Sequence, residues 1–157
     1  MSEPLLLGEI LIQKGWLHQK QLDEALCDQK TNKEFLGMIL LRKGFITEQQ
    51  LALALSEQFH FPFRSIKDVY IDWDWVMKFD TALVLEHKCF PLSENEASTT
   101  FAITNPLDAW AMAKATEQAR SRRIQFVLVL ESEMQEVLTR YRQQVNIRIR
   151  HLLDRKD

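Results

Sequence analysis

The chain has 157 residues, 46% hydrophobic and 27% charged, with a formal net charge of −2. That is enough for one domain or two small ones. The near-neutral balance excludes a general nucleic-acid coat, which needs a strongly basic face, so no DNA or RNA partner is expected. No stretch approaches the ~18–20 apolar residues of a membrane span. The opening MSEPLLLGEILIQKG carries Glu3 and no basic stretch of the kind that begins a secretion signal. Cys27 and Cys89 are two separated thiols, which reads as reduced cysteines of a cytosolic protein.

The chain then writes one sentence twice. LLGEILIQKGWLHQKQLDEALCDQ, 6–29, returns as FLGMILLRKGFITEQQLALALSEQ, 35–58, after the spacer KTNKE. At an offset of 29, eleven of 24 positions are identical. Among them are Leu7/Leu36, Gly8/Gly37, Leu11/Leu40, Lys14/Lys43, Gly15/Gly44, Leu22/Leu51, Leu26/Leu55 and Gln29/Gln58. Ile12/Leu41, Trp16/Phe45 and Asp28/Glu57 are conservative pairs. The chain has four glycines, and all four are repeat positions.

Each copy predicts two short helices. Leu7, Ile10, Leu11 and Lys14 keep helical spacing, and Gly15 stands where a left-handed C-cap belongs. A second helix starts near His18 or Thr47, and Thr47 with Gln50 forms a capping-box pattern. Leu22, Ala25, Leu26 and Gln29 then share one face, as do Leu51, Ala54, Leu55 and Gln58. Two helix–turn–helix units make a four-helix layer.

Beyond it, Phe59, Phe61 and Phe63 alternate around Pro62, predicting an extended, buried linker. Helical pattern returns from Asp72 to His87, in two pieces split near Phe79–Asp80. Lys88–Leu92 and Thr99–Thr104 read as strands around the polar turn SENEAS. Asp108 or Asn105 caps a helix running to about Ser121. IQFVLVL is a buried strand, and Ser132 with Gln135 opens a long C-terminal helix. The fold class expected is α+β: the four-helix layer, then a small ββαβα subdomain. The divisions expected are 1–60 for the tandem repeat (motifs 6–29 and 35–58), 61–145 for ββαβα, and 146–157 for a basic helix end or linker. That end, rich in arginine and closing with Lys156 and Asp157, reads as a solvated face or as a contact for an acidic partner or membrane surface.

Chemistry is thin. With every glycine inside the repeats, neither GxxxxGK[ST] nor GxGxxG can be written, and GxSxG is missing. His18, His60, His87 and His151 have no partner at metal-ligand spacing. Asp72, Asp74, Glu94 and Glu96 read as a cap and a solvated turn. No catalytic residue, metal or cofactor is expected; the pattern favours a binding module over an enzyme.

The motif xLGxxLΦxxGΦΦxxxQLxxALxxQ, twice with five residues between, resembles the MshEN-type domain, as do FPF, CFPL and FAITNPLD in the second part. That is the N-terminal domain of type II secretion and type IV pilus ATPases, also found on some bacterial membrane glycosyltransferases. The resemblance implies a cytoplasmic cyclic di-GMP sensor, held at the inner face of the bacterial inner membrane by its parent or a partner. It would control an effector ATPase or polysaccharide glycosyltransferase in cis or trans. A near two-fold dinucleotide would match a duplicated motif. The implied ligand-binding residues are Leu6, Leu7, Gly8, Leu11, Ile12, Leu22, Leu26 and Gln29, then Phe35, Leu36, Gly37, Leu40, Leu41, Leu51, Leu55 and Gln58. Leucines would pack on sugar and base, Gly8 and Gly37 would let the ligand approach the backbone, and the glutamines would hydrogen-bond it. Those four polar or small positions are ones that packing alone does not ask for. The family motif opens with arginine, where this chain has Leu6 and Phe35. Phe35 stacking on guanine, or charge from Lys33, Arg42, Lys43 or Arg64, would have to replace it. The alternative is a ligand-free docking domain that links a secretion ATPase to its inner-membrane platform protein.

Overall fold

The computed structural model describes residues 6–120 and 123–155. Glu3, Ser121, Lys156 and Asp157 lie outside them. The chain divides into two compact units, 1–63 and 64–157.

Unit 1 holds α1 (Leu7–Gln13), α2 (Gln19–Asn32), α3 (Leu36–Arg42) and α4 (Glu48–Phe59). The starts of all four keep the 29-residue offset. Gly15 and Gly44 take φ of +75° and +73°, and each closes its helix identically. Gly15 N–H donates to the Ile12 carbonyl and Trp16 N–H to Leu11; Gly44 donates to Leu41 and Phe45 to Leu40, all at 3.0 Å. This is the Schellman pattern, which needs a residue free to turn left-handed. At the next start, His18 and Thr47 are the N-caps, and their backbone N–H groups donate to the Oε1 atoms of Gln21 and Gln50 at 3.0 and 2.9 Å.

Unit 2 opens with two short helices, α5 (Trp73–Val76) and α6 (Thr81–Leu85). Asp72 and Asp80 cap them, their carboxylates accepting from Trp75 and Ala82 N–H. The sheet follows: β1 (Phe90–Glu94), β2 (Ser98–Ile103), a crossover α7 (Ala109–Gln118), and β3 (Arg123–Leu128). β2 is central, antiparallel to β1 and parallel to β3. Every residue of β2 is buried, as expected of a strand covered on both faces. Phe101 packs edge-on against Phe79 on one side. Ala102 joins Phe90, Val127, Met134, Leu138 and Tyr141 in a cluster closed by α8 (Glu131–Asp154).

The ββαβα order is as the sequence predicts, with shifts at the ends. β1 starts later than Lys88, and both strands run into the predicted turn, leaving Asn95–Ala97. Asn95 makes this tightness possible, its Oδ1 accepting from Ala97 and Ser98 N–H at 2.8 Å. Pro91 sits in edge strand β1 beside a register shift, where a missing donor is tolerated. Asp108, not Asn105, caps α7 through Ala111 N–H; Asn105 turns the chain by accepting from Leu107 N–H. α8 starts at Glu131 with Leu130 as N-cap, so Ser132 lies inside the first turn and not at the cap. Acidic Glu131 and Glu133 favour that start, and Glu133 also accepts from Ser65 Oγ and Ile66 N–H. The three phenylalanines around Pro62 are half-buried, not buried.

Candidate functional site

Within unit 1 each copy leans on the other. α1 packs on α4, and α3 packs on α2. The ion pairs follow the same exchange. Lys14 reaches Glu57 at 2.9 Å, and its counterpart Lys43 reaches Asp28, the counterpart of Glu57, at 2.9 Å. Contacts of the form i-to-j and j-to-i are those of a twofold axis. Lys14 also lies 5.3 Å from the Trp16 ring and Lys43 5.9 Å from Phe45. These pairs were not picked out from the sequence. The signal was present, since Lys14/Lys43 is invariant between the copies and Asp28/Glu57 keeps its charge.

Lys43 contacts a second carboxylate, Glu24, at 3.1 Å. Its hydrogen bonds to Asp28, then Glu24, raise its pKa above the ordinary 10.5. Arg42 sits 3.5 Å from Glu34. Two of the cations considered as substitutes for the motif arginine are therefore already paired.

The sixteen residues implied as ligand-binding fall into three sets. Leu7, Gly8, Leu11, Leu22, Gly37, Leu40, Leu51 and Leu55 are buried; Ile12, Gln29, Phe35, Leu36, Leu41 and Gln58 are half-buried; Leu6 and Leu26 are exposed. The first set belongs to the core of unit 1. The glycines turn out to have a packing reason that the sequence reading denied them. A Cβ on Gly8 would stand 2.7 Å from Leu22 Cδ1, and one on Gly37 would stand 2.7 Å from Leu51 Cδ1 and 2.9 Å from Phe35 Cε1. Each glycine lets a leucine of the following helix lie on the helix start.

The glutamines, identical in sequence, are not equivalent. Gln29 Nε2 donates to the Glu34 carbonyl in the spacer at 3.1 Å. Gln58 Oε1 is buried with no hydrogen-bond partner among the described residues. α2 runs to Asn32, whereas α4 stops at Phe59, two residues short of the equivalent point. Pro62 accounts for this, because the residue before a proline is pushed out of the helical region. The chain after Gln58 therefore takes a different path from the spacer whose carbonyl accepts from Gln29 Nε2.

A model of the MshEN domain matches residues 59–146. The chain belongs to the MshEN domain family. The matched span covers the end of α4 and most of unit 2. Solved structures carry the likeness across both units. A structure of MshE with cdg superposes with TM-score 0.74 at 25% identity, covering 87% of this MshEN chain and 99% of that one. The N-terminal domain of XpsE gives 0.69 at 18% identity, over 86% and 92% of the two chains. A second crystal form of that domain gives 0.55 at 18%, over 90% and 99%. No curated protein matches the sequence.

In unit 2, His87 Nδ1 lies 2.6 Å from Asp108 Oδ2, and its ring stacks on Trp110 at 4.2 Å. Asp74 pairs with Arg148. Among the described residues, no group of three or more His, Cys, Asp or Glu could hold a metal ion, and no helix is long and apolar enough to cross a membrane.

Proposed function

We propose that unit 1 binds cyclic di-GMP and that the chain is a regulatory, non-catalytic module. It would act on an attached or associated secretion or pilus ATPase, or on a polysaccharide glycosyltransferase, at the cytoplasmic face of the inner membrane. The observation that carries this reading is the exchanged packing of α1 on α4 and α3 on α2, with its matched ion pairs. A surface with twofold character suits a dinucleotide with two equivalent halves. The likeness to MshE with cdg, read as cyclic di-GMP, supports the ligand. Gln58 Oε1 supports a hydrogen-bonded guest, since a buried acceptor left unpaired costs about 1–3 kcal/mol and gains that back when a donor arrives. The residues facing the ligand would come from the half-buried and exposed sets: Leu6, Ile12, Leu26, Gln29, Phe35, Leu36, Leu41 and Gln58.

One observation favours the second reading, a docking domain without nucleotide. Leu6, at the position of a motif arginine, is 65% exposed and apolar, and Arg42 and Lys43 are paired to carboxylates. Likeness to the XpsE N-terminal domain is compatible with it. Calorimetry with cyclic di-GMP, with GMP and ATP as controls, separates the two. Saturation at one ligand per chain, lost in Gln29→Ala with Gln58→Ala, supports the sensor. No heat up to about a millimolar, an affinity weaker than about −4 kcal/mol, ends it and leaves the docking domain.

A further inference from the structure

We propose that the last turns of α8 are a docking face for an amphipathic protein segment with acidic flanks. Met134, Val137, Leu138 and Tyr141 put one stripe of α8 into the unit 2 core, with Val145 half-buried behind them. At ~100° per residue, Ile149 and Leu152 prolong that stripe and Leu153 borders it. They are nonetheless 49%, 62% and 60% exposed. The helix thus presents an apolar sector about 100° wide, the width of a core-facing stripe, and the described residues leave it open.

Charge selects the occupant. From Arg140 to Arg155 the sequence has five arginines and His151 against one acid, Asp154. On the helix, Arg155 borders one side of the apolar sector, next to an Arg148 already paired with Asp74, and Arg150 borders the other. Two copies meeting through this face would bring arginines together, which is unfavourable. A flat lipid surface is also disfavoured. The open residues lie on the side of α8 where the body of unit 2 packs against the preceding turns, and that body holds a plane away. A single segment one helix wide is not held off in this way. The face is held in place before any partner arrives: Arg140 lies 5.4 Å from the Trp73 ring and Arg148 bonds Asp74. Fixing a surface beforehand lowers the entropy lost on binding.

The test uses the full chain and a labelled helical peptide of about three heptads, with leucine at a and d and glutamate at e and g. Fluorescence anisotropy should show saturable binding that salt weakens. Ile149→Ser with Leu152→Ser, and separately Arg150→Glu with Arg155→Glu, should each weaken it at least about tenfold. All four positions are exposed, and unchanged melting confirms that the fold is kept. A matched peptide with lysine for glutamate should not bind. Equal binding of both peptides, no binding of the acidic one, or indifference to both double variants overturns the proposal. Pelleting with phosphatidylglycerol vesicles through these residues overturns it in favour of lipid. A dimer in sedimentation equilibrium that Leu152→Ser dissolves overturns it in favour of a second copy.

Discussion

Gly8→Ala offers a sharp test of the unit 1 packing. The new methyl would meet Leu22 Cδ1 at 2.7 Å and Cδ2 at 2.9 Å, and Leu22 is 8% exposed, with little room to swing away. Overpacking of this kind costs about 1–3 kcal/mol. Alanine recovers about 0.5–1 kcal/mol over glycine within a helix. The net expectation is a loss of about 1 kcal/mol. The decisive measurement is the coupling with Leu22→Val, which removes both clashing carbons. The double variant should be more stable than the sum of its parts by about 1 kcal/mol, within the range seen for residues in contact. Gly15→Ala is the control. It is also destabilising, because φ is +75°, but an added Cβ there meets nothing within 4 Å. Its cost should simply add to that of Leu22→Val. Urea unfolding followed by far-ultraviolet circular dichroism reads the parent and the five variants. A Gly8→Ala protein as stable as the parent, or additivity with Leu22→Val, would refute the packing account.

Three further outcomes are expected. Lys33 and His60 hold φ of +54° and +61°, a region costing a non-glycine residue about 1–2 kcal/mol. After the added freedom of unfolded glycine, about 0.5–1 kcal/mol, Lys33→Gly and His60→Gly should each gain about 0.5 kcal/mol in urea unfolding; a loss at both would contradict the assigned backbone. Burial, then the Asp108 charge, pushes the Cys89 thiol up from 9.0 to about 12. An aromatic disulfide reagent at pH 8 should therefore titrate exposed Cys27 at once and Cys89 only on unfolding. Because the folded pKa is the higher, this thiol's contribution is intact below about pH 9 and declines as pH rises toward 12. The slope is about 1.4 kcal/mol per pH unit relative to Cys89→Ala. Leu6→Arg restores the family's motif residue at an exposed position, and one charge-assisted hydrogen bond of about 1.5–3 kcal/mol should tighten cyclic di-GMP at least about tenfold. Unchanged affinity would mean that position 6 does not face the ligand.

What the sequence disclosed well was whatever is decided locally. Gly15 and Gly44 must turn left-handed, Thr47–Gln50 must cap, and β2 must be buried, so helices and strands emerge in the right order. IQFVLVL, expected to be a buried strand, is buried only over Val127–Val129, because β3 lies at the sheet edge and leaves Ile124–Phe126 half-buried or exposed. Boundaries moved where a side chain outside the pattern intervened: Asn95 tightened the hairpin, and the two glutamates carried the start of α8 back past Ser132. The candidate site was harder to read. Leucines at helical spacing look alike whether they meet a ligand or each other, and only burial separates Leu11 from Leu26. Gly8 and Gly37 were misjudged because the residue that demands them, the leucine fourteen positions on, packs across a turn. No periodicity within one helix reveals that.

The repeats differ most at their ends, and that difference carries a prediction about the proposed site. Leu26 is 38% exposed while its counterpart Leu55 is 1% exposed. Gln29 is latched to the Glu34 carbonyl, while the Gln58 acceptor is buried and unpaired. A ligand with two equal halves would meet two unequal half-sites. Gln29 can accept through Oε1 while Nε2 keeps the Glu34 carbonyl, a new bond with a net value of about 0.5–1.5 kcal/mol, whereas pairing Gln58 Oε1 relieves a buried acceptor costing about 1–3 kcal/mol. Gln58→Ala should therefore weaken cyclic di-GMP more than Gln29→Ala does, by about tenfold for a difference near 1.4 kcal/mol. Without ligand the order reverses. Gln58→Ala removes an unpaired acceptor and should leave the melting temperature unchanged or raise it, while Gln29→Ala breaks a bond and should lower it. Calorimetry and thermal melting on the two single variants measure both effects. Equal losses of affinity would mean that the ligand makes the half-sites alike, and that the shortened α4 imposed by Pro62 has no part in binding.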